Sequence, residues 1–224
     1  MTPASHPASH RTRLLVVDDH PVVIEGLARL LKREEDLSVE WVAFTLAEAV
    51  QVCQAHVPDL AIVDLSLGDG SGLDLIKLMH ARHPDMPILV MSMHDASLYA
   101  ERALRAGARG YITKQTAPKH VVEAVRRVRD SSDPYISDSM APRAIAPFDA
   151  STEPAGRADL QQLSDRELEV FNLIGQGLRK REIAEHLGLS VNTIETHRAG
   201  IKKKLRLRSA TELARFAFLQ SSRA

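Results

Sequence analysis

The chain has 224 residues, 29 Lys/Arg against 29 Asp/Glu, and an apolar fraction of 44%. That is enough for one or two ordinary cores, and no apolar run approaches the roughly 20 residues that span a bilayer, so no membrane partner is expected. The single cysteine, Cys53, excludes internal disulfides and fits a reducing, cytoplasmic setting.

The opening MTPASHPASHRTR has no apolar middle and reads as a leader without structure. From there to about residue 130, strand and helix patterns alternate. Apolar runs predict strands at 13–17, 38–43, 59–64, 87–92 and 109–113, and helical spacing fills 21–33, 46–56, 71–82, 96–106 and 118–129. Runs 59–64 and 87–92 are apolar throughout, as in strands covered on both faces. The βαβ alternation predicts an α/β unit of the flavodoxin-like, doubly wound kind, with a five-stranded parallel sheet. Residues 131–158, rich in Ser, Ala, Pro and Asp, read as a linker with an ordered start near Tyr135–Met140. The rest is all-α. Ser164 with Glu167, and Ser209 with Glu212, have the spacing of capping boxes, and Ser190 precedes a helix from Val191. Four helices are expected at 165–175, 180–187, 191–205 and 210–220, and the Gly188-Leu189-Ser190 turn gives a helix-turn-helix. The domains are therefore 12–130, a linker 131–158, and 159–222.

Polar and charged residues stand where the apolar runs stop. LLVVDDHP ends on Asp18 and Asp19, DLAIVDLS on Asp64, PILVMS on Ser92, and GYITK on Lys114. Strand C-terminal ends share one edge of such a sheet, and ligands bind there. Three carboxylates at one edge repel unless a cation sits among them, and a hard ion such as magnesium, Mg2+, takes oxygen ligands of this kind. The ten histidines show no ligand spacing, and none is assigned to a metal. Gly68, Gly70 and Gly72 lack a following Lys-Ser/Thr and come after the third strand, which argues against a nucleotide loop.

Charge divides the chain. Residues 1–130 hold 15 Lys/Arg and 17 Asp/Glu, whereas 176–208 hold 9 and 3. A basic segment on a helix-turn-helix points to double-stranded DNA. Lys202, Lys203 and Lys204, with Arg179 and Lys180, are candidate phosphate contacts; Asn192, Glu195, Thr196 and Arg198 lie where base edges are met. His197 reads as a packing residue.

The DDHPVVxEGL stretch, with Asp64, Ser92 and Lys114, resembles the two-component response regulators of the NarL/FixJ type. LSDRELEVFNLIGQGLRKREIAEHLGLSVNTIETHRAGIKKKL resembles the LuxR-type helix-turn-helix. The resemblance implies a phosphorylation-dependent transcriptional regulator that is not an enzyme. In it Asp64 takes a phosphoryl group from a sensor histidine kinase, and Asp18, Asp19, Asp64 and the Ser66 carbonyl hold Mg2+. Ser92 and Lys114 meet the phosphoryl oxygens, and Tyr111 is the switch aromatic that turns inward. It further implies that the resting receiver covers helix 191–205, that the active form is a homodimer, and that the Lys114–Gln115 peptide is cis. Leu213, Phe216 and Ala217 recur at helical spacing as a possible dimer contact or core. Glu195 departs from the lysine common in this family, and an acid there accepts from cytosine N4 instead of donating to guanine. Two other readings remain: a DNA-binding protein with a vestigial receiver, and an aspartate-nucleophile phosphohydrolase. The second would want an acid at position 66, where the chain has Ser66.

Overall fold

A computed structural model describes residues 11–68, 70–94, 96–136 and 160–221. The expected leader and most of the expected linker lie outside these residues.

The N-terminal unit is built on β1 (Thr12–Val17), β2 (Leu37–Ala43), β3 (Leu60–Val63), β6 (Ile88–Ser92), β7 (Gly110–Thr113) and β8 (Tyr135–Ile136). They form one sheet in the order β2-β1-β3-β6-β7-β8, every pair parallel. Helices α1 (Pro21–Leu31), α2 (Leu46–Ala55), α3 (Gly72–Arg82), α4 (Ala96–Ala106) and α5 (Pro118–Asp130) join them, and a small hairpin, β4 (Ser66–Leu67) with β5 (Gly70–Ser71), follows β3. The doubly wound parallel fold is as expected, but the sheet has six strands. Tyr135–Ile136, which the sequence placed in the linker, pairs with β7, and the Tyr135 N–H reaches Arg109 O at 3.0 Å. The ordered start expected near Tyr135–Met140 is thus a sixth strand over Tyr135–Ile136, and residues 137–140 lie outside the described residues.

Alternation along β1 sends Leu14 and Val16 to one face and Leu15 and Val17 to the other. The first face packs on Ile24, Leu27 and Leu31 of α1 and on Val121, Val125 and Val128 of α5. The second packs on α2, α3 and α4, and its cluster continues into the C-terminal helices through Leu160 and Leu163. Pro21 starts α1, where a missing N–H is harmless.

The C-terminal helices are α6 (Asp165–Gly175), α7 (Lys180–His186), α8 (Val191–Lys204) and α9 (Ala210–Ser221). The Ser164–Glu167 capping box forms in both directions. Ser190 Oγ caps α8 through Thr193 N at 3.1 Å, and Ser209 Oγ accepts from Glu212 N at 3.0 Å. The turn between α7 and α8 uses Gly188 at φ 62°, a left-handed conformation that glycine adopts without a Cβ penalty. Leu213 and Ala217 are fully buried, and Phe216 meets Phe171 edge to face at 5.7 Å. These three therefore serve the core of this unit.

Candidate phosphoryl-acceptor site and DNA-binding surface

Ladder hydrogen bonds carry the sheet one residue past its strands and fix the acidic edge. Asp18 N donates to Ala43 O (3.1 Å), Asp64 N to Val17 O (2.9 Å) and Lys114 N to Ser92 O (2.9 Å). Asp18, Asp64 and Ser92 are buried, and Asp19 is partly so. Lys114 Nζ lies 2.7 Å from both Asp18 Oδ2 and Asp64 Oδ2. The structure thus brings Asp18, Asp19, Asp64, Ser92 and Lys114 to one edge, as the spacing required. No cis peptide bond occurs among the described residues, and Lys114 reaches Asp64 through a trans bond to Gln115. The flexible lysine side chain spans the distance, so the backbone is spared the roughly 3 kcal/mol of a non-proline cis bond.

Burial pushes the Asp64 carboxyl up to about 6, against the lowering pull of Lys114. For Lys114, burial pulls down, but Asp64 and Asp18 outweigh it and raise the ammonium above its ordinary range. A carboxyl group is held here in a desolvated site, with one cation beside it.

The site also suits a divalent ion. Asp18 Oδ2, Asp19 Oδ1 and Asp64 Oδ1 are buried without a hydrogen bond, although the first two have Lys114 and His20 at ion-pair distance. Ligand atoms of Asp18, Asp19, His20 and Asp64 lie within 4.8 Å of one another. Buried oxygens of this kind want a cation. Ligand spacing in the sequence points to no histidine here, yet His20 Nδ1 is 2.6 Å from Asp19 Oδ1; its adjacency to Asp19 is the signal in the sequence. Gly72 closes the floor, since a Cβ there would stand 2.2 Å from Asp64 O.

Tyr111 is fully buried and donates to His94 O at 2.9 Å, so in this structure it already points inward. His94 was missed, although it stands only two residues after Ser92. Its N–H donates to Ser92 Oγ (3.2 Å), its Nε2 lies 2.8 Å from Ser66 Oγ, and its ring stacks on Tyr99.

Tyr99 belongs to the joint between the two units, which the sequence gave no means to place. Asn172 of α6 donates to the Tyr99 hydroxyl. Arg102 Nη1 pairs with Asp165 (2.9 Å), and Arg102 Nη2 donates to Leu163 O (2.8 Å); Lys77 of α3 also pairs with Asp165 (2.9 Å). The receiver thus seats on α6. The expectation that it covers α8 is not met, because Asn192, Glu195 and Thr196 are exposed.

At the start of α7 and along α8 the candidate contacts sort by what already holds them. Arg179, Lys180, Lys203 and Lys204 are exposed, and Arg198 and Lys202 are partly so. Lys204, however, pairs with Glu167, the capping carboxylate of α6, which turns it toward structure and away from free presentation. Glu195 pairs with Lys180 at 3.1 Å, which lowers its carboxyl. Thr196 Oγ1 donates to Asn192 O, one turn back. His197 is partly buried, and burial lowers its imidazole, as suits a packing residue.

An acidic, lysine-closed edge on a doubly wound sheet, joined to a helix-turn-helix, defines a phosphorylation-controlled DNA-binding regulator. The chain belongs to the response regulators: residues 14–126 match the "Response regulator receiver domain" family and residues 161–217 the "Bacterial regulatory proteins, luxR family". It is 36% identical to the oxygen regulatory protein NreC of Staphylococcus carnosus, over 92% of this chain and 96% of that one. Among solved structures, a LuxR-family two-component response regulator from Aurantimonas is 30% identical (TM-score 0.57), covering 60% of this chain and 95% of that one. RcsB of Salmonella enterica serovar Typhimurium, bound to promoter rprA with the phosphomimetic BeF3-, shares the fold. Its identity is 24% and its TM-score 0.68, covering 93% of this chain and 98% of that one. The chain is a response regulator that couples phosphorylation to transcription. Among the described residues, no helix is long and apolar enough to cross a membrane.

Proposed function

We propose that Asp64 is the phosphoryl acceptor and that a sensor histidine kinase is the donor. A carboxylate oxygen of Asp64 attacks phosphorus in line, the bond from phosphorus to the kinase imidazole nitrogen breaks, and the imidazole leaves. Lys114, already 2.7 Å from Asp64, meets the charge on the transferred group. Ser92 offers its hydroxyl to a phosphoryl oxygen. Asp18, Asp19, Asp64 and the Ser66 carbonyl would hold Mg2+, which offsets the repulsion between carboxylate and incoming anion. The observation that carries this reading is the buried Asp64 Oδ1, which accepts no hydrogen bond beside an ion-paired lysine.

For the second unit we propose that Arg179, Lys180, Lys202 and Lys203 meet DNA phosphates and that Asn192, Glu195, Thr196 and Arg198 face base edges. Lys204 fits that set less well because Glu167 holds it. In a homodimer, two-fold binding favours inverted half-sites about 10 base pairs apart. A DNA target for a regulator of the bacterial luxR family supports a cytoplasmic setting.

The test is incubation with acetyl phosphate and Mg2+, followed by peptide mass spectrometry. A stable phosphoryl adduct on Asp64 supports the reading. No adduct would support a vestigial receiver, and rapid release of inorganic phosphate a hydrolase.

A further inference from the structure

His94 stands between the acidic edge and the joint with the DNA-binding unit. On one side, Ser92 Oγ takes its N–H at 3.2 Å, Ser66 Oγ lies 2.8 Å from its Nε2, and Tyr111 holds its carbonyl at 2.9 Å. On the other side its ring lies on Tyr99, centroids 4.6 Å apart and planes 20° from parallel. Tyr99 is 3% exposed and accepts a hydrogen bond from Asn172 of α6. One turn further along α4, Arg102 grips Asp165 and the Leu163 carbonyl. Three contacts therefore lead without a gap from Ser92, in the acidic edge, to the Asn172 side chain of the DNA-binding unit.

We infer that His94 is the positioning residue through which occupancy of the Asp64 site reaches the joint between the two units. The inference rests on the reading of Asp64 as phosphoryl acceptor. A phosphoryl group on Asp64 presents new acceptor oxygens to Ser92. As that hydroxyl moves toward them it withdraws from the His94 N–H, whose bond is already long for an N–H donor. The ring of His94 then shifts over Tyr99. Tyr99 is packed on every side and cannot follow without disturbing the Asn172 hydrogen bond, so the joint responds by opening and not by small adjustment. The joint in turn resists the phosphorylated state. Coupling between two sites is reciprocal, so loosening the joint from the DNA-binding side must tighten the acidic edge for a phosphoryl mimic by the same factor.

The experiment titrates the full chain with beryllofluoride and Mg2+ by calorimetry. Asn172→Ala lies on α6, outside the acidic edge, and should bind beryllofluoride roughly five-fold more tightly than wild type, the low end of ordinary allosteric coupling. Tyr99→Phe keeps the stacked ring and removes only the hydroxyl, so it should tighten binding by a similar factor. In a His94→Ala background the Asn172→Ala change should lose its effect and fall below two-fold. The inference is overturned if Asn172→Ala and Tyr99→Phe both bind as wild type does, or if the Asn172→Ala effect persists undiminished without His94. Should His94→Ala fail to fold, His94→Leu, which also removes the stack and the Ser66 bond, takes its place. Absence of beryllofluoride binding by wild type would instead overturn the assignment of Asp64.

Discussion

The acidic edge and α8 are both charged, yet they are organised in opposite ways. At the acidic edge Asp18, Asp64 and Ser92 are buried, and Lys114 is shared between two carboxylates. On α8, Asn192, Glu195, Thr196 and Lys203 are exposed. Phosphoryl transfer needs charges fixed in place before the reaction, because a dry, preorganised site neutralises developing charge without reorganising. DNA binding gains from cations that remain hydrated until they displace counterions from phosphate. Burial therefore marks the proposed acceptor site in one unit, and exposure marks the proposed DNA contacts in the other.

The largest expected effect comes from Asp64→Asn. Phosphoryl incorporation from acetyl phosphate should fall to background, while thermal stability at pH 8 is kept or rises, since burial already disfavours this carboxylate. A loss of fold would show that Asp64 is structural and would erase the contrast. Next is Gly72→Ala. Its Cβ would meet Asp64 O at 2.2 Å and Leu65 Cα at 2.5 Å, both backbone atoms. Overpacking of this kind costs about 1–3 kcal/mol or more, and chemical denaturation should show it together with slower phosphorylation.

The two neighbouring lysines sharpen the comparison on the DNA side. Lys203→Ala should weaken binding to all sequences alike and reduce the slope of log K against log salt by about 0.9, with unchanged melting. Lys204→Ala should instead lower the melting temperature of the helical unit, because Glu167 loses its cation. Equal salt slopes and equal melting for the two variants would remove the distinction between them.

The smallest effect concerns Glu169, at the joint between the units. Burial raises its carboxyl to about 7, opposed by Arg166 at 2.7 Å and assisted by Asp74 and Asp165. Its folded value exceeds the unfolded one of about 4.3. Its contribution is therefore fullest at low pH and is lost as pH rises from there through about 7. Glu169→Gln should lessen that decline by on the order of 1 kcal/mol, measured as the difference in unfolding free energy between pH 5 and pH 8. Parallel pH profiles for the two proteins would show that the carboxyl is not desolvated in solution.

Much of this molecule is written in short-range pattern. Apolar runs ending in Asp18, Asp64, Ser92 and Lys114 were enough to bring those side chains to one edge, because parallel strands must align their C-terminal ends. The Ser164–Glu167 capping box and the Gly188 turn were legible for the same reason, since each is a local hydrogen-bonding or backbone requirement. Only the tertiary structure decided the rest. The two-residue strand Tyr135–Ile136 exists because β7 offers it an edge. His94 acquires its place from Ser66, Tyr99 and Tyr111, and His20 from Asp19. Lys204 and Lys203 are alike in sequence, and Glu167, a residue of another helix, separates them. The receiver's seat on α6 rests on Tyr99–Asn172 and Arg102–Asp165 contacts between residues more than sixty positions apart. Periodicity and capping are properties of a segment; which side chains from distant segments meet is set by packing, and a single sequence does not encode it in readable form.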